Sequence, residues 1–201
     1  MEKIRLGCTE LYVTKTAFGA LPIQRISKAD AVKLVRRAYE SGINYFDTAN
    51  MYTDSEEKLG EALHDVRTNI VISTKSAATD KKTALSHMEQ RLRRLRTDYL
   101  DLFQFHTPAK LPDIEDPDGA FAAALEMQKK GCVRHIGITN HRLGVAREAI
   151  QKGYIRRTGA LVTPEANEFY GWVRTLHERE DREEIPKDIC ALRRMFYEAM
   201  E

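Results

Sequence analysis

Apolar positions along the chain fall into two kinds of run. The short ones, TAFGAL (16–21), INYFDTA (43–49), NIVISTK (69–75), YLDLFQFH (99–106) and VRHIGITN (133–140), are rich in β-branched and aromatic residues and predict buried strands. Longer runs between them carry apolar residues at helical spacing. In SKADAVKLVRRAYESG (27–42) the stripe is Ala31, Leu34, Val35 and Ala38, with Ser27 as cap and Gly42 as stop. SEEKLGEALHD (55–65) predicts a second helix, opened by Ser55, Glu57 and Lys58, its acidic residues lying favourably at the positive helix end. KKTALSHMEQRLRRLRTD (81–98) predicts a third, with Leu85, Met88, Leu92 and Leu95 inward and Arg91, Arg93, Arg94 and Arg96 on the outer face. DPDGAFAAALEMQKKG (116–131) and RLGVAREAIQKG (142–153) predict two more, and IRLGCTELYVTK (4–15) reads as two short strands about a turn.

Five strand–helix units in succession argue for the α/β class, a parallel sheet with helices packed on its outside. The units repeat in type but not in sequence, which excludes a solenoid. Two architectures remain, a doubly wound open sheet and a (β/α) TIM-type barrel. A doubly wound dinucleotide fold places a GxGxxG turn after its first strand, and FGAL is not that motif. The strands end instead, one after another, in polar residues: Asp47, Lys75, His106 and Asn140. In a barrel such ends converge on one mouth, and this favours the barrel.

Composition narrows the setting. The 201 residues suffice for one substantial core. A net charge of +2 argues against a dedicated nucleic-acid surface or a polybasic membrane face. No apolar run approaches the roughly 20 residues of a membrane span, and MEKIRLGCTELYV has no signal-peptide core, so a cytoplasmic location is expected. Cys8, Cys132 and Cys190 are odd in number and outside any CxxC pair, as expected for thiols in a reducing compartment; no metal is expected.

Taken singly, the strand-end residues have ordinary explanations. Asp47 can accept backbone N–H bonds, Lys75 can be a solvated loop lysine, His106 can sit at a strand exit, Asn140 can be a turn residue, and Tyr52 a packed aromatic with its hydroxyl at the surface. Together they make an acid–base device. A tyrosine hydroxyl titrates at about pH 10, too high for easy proton exchange at neutral pH. A neighbouring ammonium favours the phenolate and brings proton transfer towards a useful range. Lys75 then needs a carboxylate to hold it charged in a partly dry pocket, and Asp47 is placed to be that partner. His106 can hydrogen-bond and polarise a carbonyl oxygen. Such a set reduces a small-molecule carbonyl provided a hydride comes from elsewhere, which implies a nicotinamide.

The segments GINYFDTANMYTDSEEKLGEAL, VISTK, DLFQFH and HIGITNH also carry a resemblance to the aldo-keto reductase family, in its bacterial, longer-chain form. The match is dense from Lys3 to Gly153, and the five-residue step from Asp47 to Tyr52, followed by SEEKLG, is its most specific part. The resemblance implies a catalytic tetrad of Asp47, Tyr52, Lys75 and His106, with Tyr52 as general acid, Lys75 and Asp47 tuning it, and His106 orienting the substrate. It implies that Thr139 and Asn140 contact the nicotinamide carboxamide, and that the cofactor is NADPH more often than NADH, bound without a Rossmann motif. It also implies that the N-terminal hairpin covers the bottom of a barrel.

Past AIQKGYI the chain departs from the family pattern. A strand–helix–strand unit takes about 30 residues and a whole barrel about 250, whereas fewer than 50 follow Gly153. The expectation is an incomplete barrel of five to six strand–helix units over residues 1–158, and a divergent, mainly helical segment over 159–201 packing on the same domain. In that segment GALVT (159–163) reads as a short sixth strand, and 167–180 and 187–201 as helices on either side of Pro186. The mixed-charge run HEREDREE reads as a solvated helix face. Open sheet edges leave three outcomes: a covering tail, self-association, or a truncated or rearranged gene product. The family's last-strand ligands for the cofactor phosphate have no counterpart here, so weakened NADPH binding is expected. Three functions stay open: an NAD(P)H-dependent reductase of an aldehyde or ketone, a catalytically silent relative acting as an assembly or regulatory module, and a metabolite-binding module using the same mouth.

Overall fold

The computed structural model describes residues 1–7, 9–140, 143–151 and 161–164. It opens with an antiparallel hairpin of β1 (Lys3–Arg5) and β2 (Tyr12–Thr14). Six further strands follow: β3 (Phe18–Gly19), β4 (Tyr45–Asp47), β5 (Val71–Ser76), β6 (Leu100–His106), β7 (Val133–Asn140) and β8 (Leu161–Pro164). They alternate with α1 (Lys28–Glu40), α2 (Ser55–Leu63), α3 (Lys81–Leu95), α4 (Ala120–Lys129) and α5 (Leu143–Gln151). The chain divides into two compact units, one of Met1–His106 and Pro112–Ile136, the other of Thr107–Leu111 and the residues from Gly137 onwards.

In the first unit β3, β4, β5 and β6 pair in parallel, in chain order. The register sets Asp47 opposite Ser73 and Lys75 opposite Gln104. A parallel register with one helix per crossover brings every strand's C-terminal end to the same side. Alternation along the strands separates two faces. Phe46, Ile72, Thr74, Phe103 and Phe105 lie on one, where Phe105 stacks on Phe121 of α4, with ring centres 5.8 Å apart. Asp47, Ser73, Lys75, Gln104 and His106 lie on the other.

The helices form where the pattern places them, with two corrections of detail. Ser27 caps α1, its side chain accepting the Asp30 N–H at 3.1 Å, and Gly42 closes the turn beyond it at φ +95°. Leu34, expected inward, is 46% exposed. The inward edge of α1 runs through Ala31 and Val35 to Arg36, whose guanidinium donates to the Ala62 carbonyl of α2 at 2.8 Å. Ser55 opens α2 as expected, and its hydroxyl donates to the Ala20 carbonyl at 2.9 Å, tying the helix to the end of β3. The second correction concerns Arg91 and belongs with the site. α2 and α3 approach so closely at Gly60 that a Cβ there would lie 2.2 Å from the Arg94 carbonyl oxygen.

In the second unit the last four residues of β7 pair in parallel with β8, from Gly137–Leu161 to Asn140–Pro164. The sixth strand of the parallel series thus occurs at 161–164, overlapping the expected 159–163. The helices expected at 167–180 and 187–201 lie outside the described residues, as do Cys8 and Cys190. Among the described residues no helix is long and apolar enough to cross a membrane.

Candidate functional site

In the first unit, β4 ends at Asp47, β6 at His106, and Lys75 is the penultimate residue of β5. Tyr52 lies in the loop between β4 and α2. Lys75 is buried, its ammonium 2.5 Å from Asp47 Oδ2 and donating to the Thr48 carbonyl at 2.9 Å. The Asp47 side chain keeps 29% of its surface against 4% for Lys75, so the pair meets solvent on the carboxylate side. The ammonium lies 5.3 Å from the centre of the Tyr52 ring, and that ring meets the His106 imidazole edge-on at 6.1 Å. The four residues singled out from the sequence therefore form one contiguous cluster.

Main-chain bonds bring the loop to the strand. The Thr48 N–H donates to the Ser73 carbonyl at 2.9 Å and the Asn50 N–H to the Lys75 carbonyl at 3.1 Å, lacing the loop onto β5. Tyr52 then sits between two turns, its N–H donating to Ala49 O at 3.0 Å and its carbonyl accepting the Ser55 N–H at 2.9 Å. Thr53 and Thr107, which directly follow Tyr52 and His106, have φ of +46° and +48°. A β-branched residue in the left-handed region costs on the order of 1–2 kcal/mol, and strain of this kind collects at functional sites.

Tyr45 lies two residues before Asp47 on β4 and packs against Leu11, Val13 and Val71. Burial, and next the charge of Asp47, push the Tyr45 phenol far above its ordinary value, so Tyr45 stays neutral.

The charges behind β5 were not legible as part of the site. Glu56 is buried; its carboxylate accepts the Thr74 hydroxyl at 2.7 Å and faces Arg91 Nε at 3.3 Å and Arg94 Nη1 at 3.4 Å. Arg91, expected on the outer face of α3, is fully buried and donates through Nη2 to the Lys75 carbonyl at 3.3 Å. Burial brings its pKa down to about 10, against the opposing pull of Glu56, so it remains a cation at neutral pH. A signal was present in the spacing: Arg91 shares a stripe with Ala84, Met88 and Leu95, and Glu56 shares one with Leu59 and Leu63.

Thr139 and Asn140 belong to the second unit and are buried at the end of β7. Asn140 Nδ2 donates to the Pro108 carbonyl at 2.7 Å, and the Thr139 carbonyl accepts the Thr107 N–H at 2.7 Å. A hydroxyl and a carboxamide side by side offer the donors and acceptors that a nicotinamide carboxamide requires.

A model of the Aldo/keto reductase family matches residues 15–180. An uncharacterised oxidoreductase of Bacillus subtilis is 30% identical over 169 residues, which cover 77% of this chain and 54% of that protein. A methylglyoxal reductase of Salmonella typhimurium is 31% identical over 126 residues, covering 61% of this chain and 45% of that one. Among solved structures, an aldo-keto reductase of Bacillus halodurans in its holo form matches with a TM-score of 0.69 at 26% identity, over 93% of this chain and 71% of that one. An aldo/keto reductase of Klebsiella pneumoniae in complex with NADP and acetate matches with a TM-score of 0.61 at 26% identity, over 70% of this chain and 50% of that one. These likenesses place the fold in the (β/α) TIM-barrel type. The chain spans about half the length of the curated relatives it matches.

Proposed function

Since the chain belongs to the aldo/keto reductase family, we propose that it reduces an aldehyde or ketone to an alcohol at the cluster of Asp47, Tyr52, Lys75 and His106, with NADPH or NADH as reductant. The observation that carries this reading is the buried Lys75 ammonium, held by Asp47 on one side and set against the Tyr52 ring on the other.

Asp47 and the Thr48 carbonyl hydrogen-bond the Lys75 ammonium in a site where an unpaired ammonium is costly. That charge stabilises negative charge developing on the Tyr52 oxygen, so Tyr52 can give its proton to the substrate oxygen as the carbonyl becomes an alkoxide. His106 donates a hydrogen bond to the same oxygen, orienting and polarising the carbonyl. When bound, a nicotinamide supplies the hydride. Thr139 and Asn140 are assigned to its carboxamide, on the resemblance and on their donor–acceptor chemistry. The methylglyoxal reductase among the relatives makes a small reactive aldehyde the first substrate to try.

Nicotinamide fluorescence during NADPH titration, followed by turnover of methylglyoxal, tests the proposal. Binding below about 1 mM is expected, with reduction abolished by Tyr52→Phe at an unchanged urea midpoint. No binding at that concentration overturns the enzyme reading and leaves the catalytically silent module in its place.

A further inference from the structure

The charges behind β5 lie outside the cluster, yet they reach it through the main chain. The Lys75 carbonyl accepts two donors, Arg91 Nη2 at 3.3 Å and the Asn50 N–H at 3.1 Å. One oxygen thus joins the strand that carries Lys75, the helix that carries Arg91 and the loop that carries Tyr52. One turn before Arg91 on the same helix, His87 Nδ1 lies 2.8 Å from the Ser76 hydroxyl. Two side chains on one face of α3 therefore grip consecutive residues at the end of β5. Arg91 is itself held by Glu56, which Thr74 and Arg94 hold in turn.

A buried ion pair gains little stability over an apolar pair of the same size, because both charges must be stripped of water. Its placement against the carbonyl of Lys75 gives it another use. Building on the reductase reading above, we propose that Arg91, anchored by Glu56, is a positioning residue: it fixes the Lys75 carbonyl, and with it the direction in which β5 presents the ammonium to Asp47 and Tyr52. The Lys75 side chain is long and flexible, so a main chain free to shift at its root would spread the ammonium over several positions. Displacements of about 1 Å suffice to cost a reaction about two powers of ten.

Two substitutions separate positioning from bulk stability. Arg91→Lys keeps a cation facing Glu56 but lacks the second arm that reaches the Lys75 carbonyl. Arg91→Met removes the charge and keeps most of the volume, leaving Glu56 to Arg94 and Thr74. Amide hydrogen exchange on the cofactor-free protein is the first readout. The Asn50 amide is expected to exchange at least about 10-fold faster in both variants. The Val71 amide, which donates to the Asn44 carbonyl at 2.7 Å at the start of β5, is expected to keep its rate. The second readout is turnover of methylglyoxal with NADPH, where kcat should fall by about 10-fold with KM for the aldehyde unchanged. Unchanged Asn50 exchange in a folded variant overturns the proposal, and so does equal acceleration of Asn50 and Val71, which would mark Arg91 as a plain structural residue. If Arg91→Met does not fold, Arg91→Lys decides alone. A wild-type protein without turnover sinks the reductase reading, while the exchange ratio still decides what Arg91 does to β5.

Discussion

Asp47→Asn and Lys75→Met remove the same contact from opposite sides, and the structure makes their costs unequal. The Lys75 side chain is 4% exposed and that of Asp47 is 29% exposed. In Asp47→Asn the ammonium stays buried, left with the Thr48 carbonyl at 2.9 Å and a neutral amide oxygen. The ion pair becomes an ion–dipole bond, still charge-assisted through the ammonium, so this bond alone loses about 1 kcal/mol or less. The incompletely compensated buried charge adds more, for a total of about 3 kcal/mol, the lower edge of the range for breaking a buried pair. In Lys75→Met the remaining carboxylate turns to water, and the desolvation of the ammonium is relieved. Its net cost is expected within about 1 kcal/mol of zero. Both variants should lose reduction, so stability and activity separate: Lys75→Met is inactive and nearly as stable as wild type, Asp47→Asn inactive and much less stable. Urea unfolding at neutral pH, accepted where the m-values agree, measures the difference. A Lys75→Met variant as destabilised as Asp47→Asn would refute the reasoning, because it would mean the lysine contributes net stability rather than drawing on it.

Three other expectations follow from the packing. Gly60→Ala forces a methyl to within 2.2 Å of the Arg94 carbonyl oxygen; the backbone must move, and a loss of about 1–3 kcal/mol or more is expected in thermal unfolding, whereas a neutral result would mean α2 and α3 are less tightly apposed. Asp101 is buried and accepts from Arg67 Nη2 at 2.7 Å, the Ile72 N–H at 3.0 Å and Arg134 Nη1 at 2.8 Å; Asp101→Ala strands the buried Arg67 and should cost about 3–5 kcal/mol, read as a lower urea midpoint. Burial, and next the charge of Arg91, push the His87 imidazole below its ordinary value of 6.5. The unfolded chain therefore takes up this proton more readily than the folded one, so the His87 contribution is intact above pH 6.5 and is lost as pH falls through the lower folded value. His87→Gln should flatten that part of the stability profile, and an unchanged slope would exclude His87 as its source.

The order of strands and helices could be read from the sequence because each element keeps its own period: dense β-branched runs for the strands, apolar residues three and four apart for the helices. The cluster could be read for a related reason. Parallel strands joined by similar crossovers end on one side, so Asp47, Lys75 and His106, each found near the end of an apolar run, had to arrive together. At Arg91 residue type and spacing point in opposite directions. Arginine is seldom fully buried, but the Ala84–Met88–Leu95 stripe runs straight through it. What permits its burial is Glu56, on another helix and far away in sequence, and no local pattern announces such a partner. The Thr48 carbonyl as acceptor for Lys75 is hidden more completely, since a main-chain oxygen has no residue type to mark it. Leu34 shows the reverse error: its apolar character placed it inward, while the contact of α1 with α2 turns it to solvent.

The burial of Arg91 has its physical origin in the two faces of β5. Successive side chains alternate across a strand, so Lys75 points to one face while Thr74 and Ser76 point to the other. The carbonyl of Lys75 lies between the faces and takes bonds from both the Tyr52 loop and α3. The functional face carries the side chains of the cluster, and the helix face carries a costly ion pair. Joined through that carbonyl, the buried charge of Arg91 becomes a means of holding the buried charge of Lys75 in place. Selection acting on the Lys75 ammonium would then bear on residues that never touch a substrate.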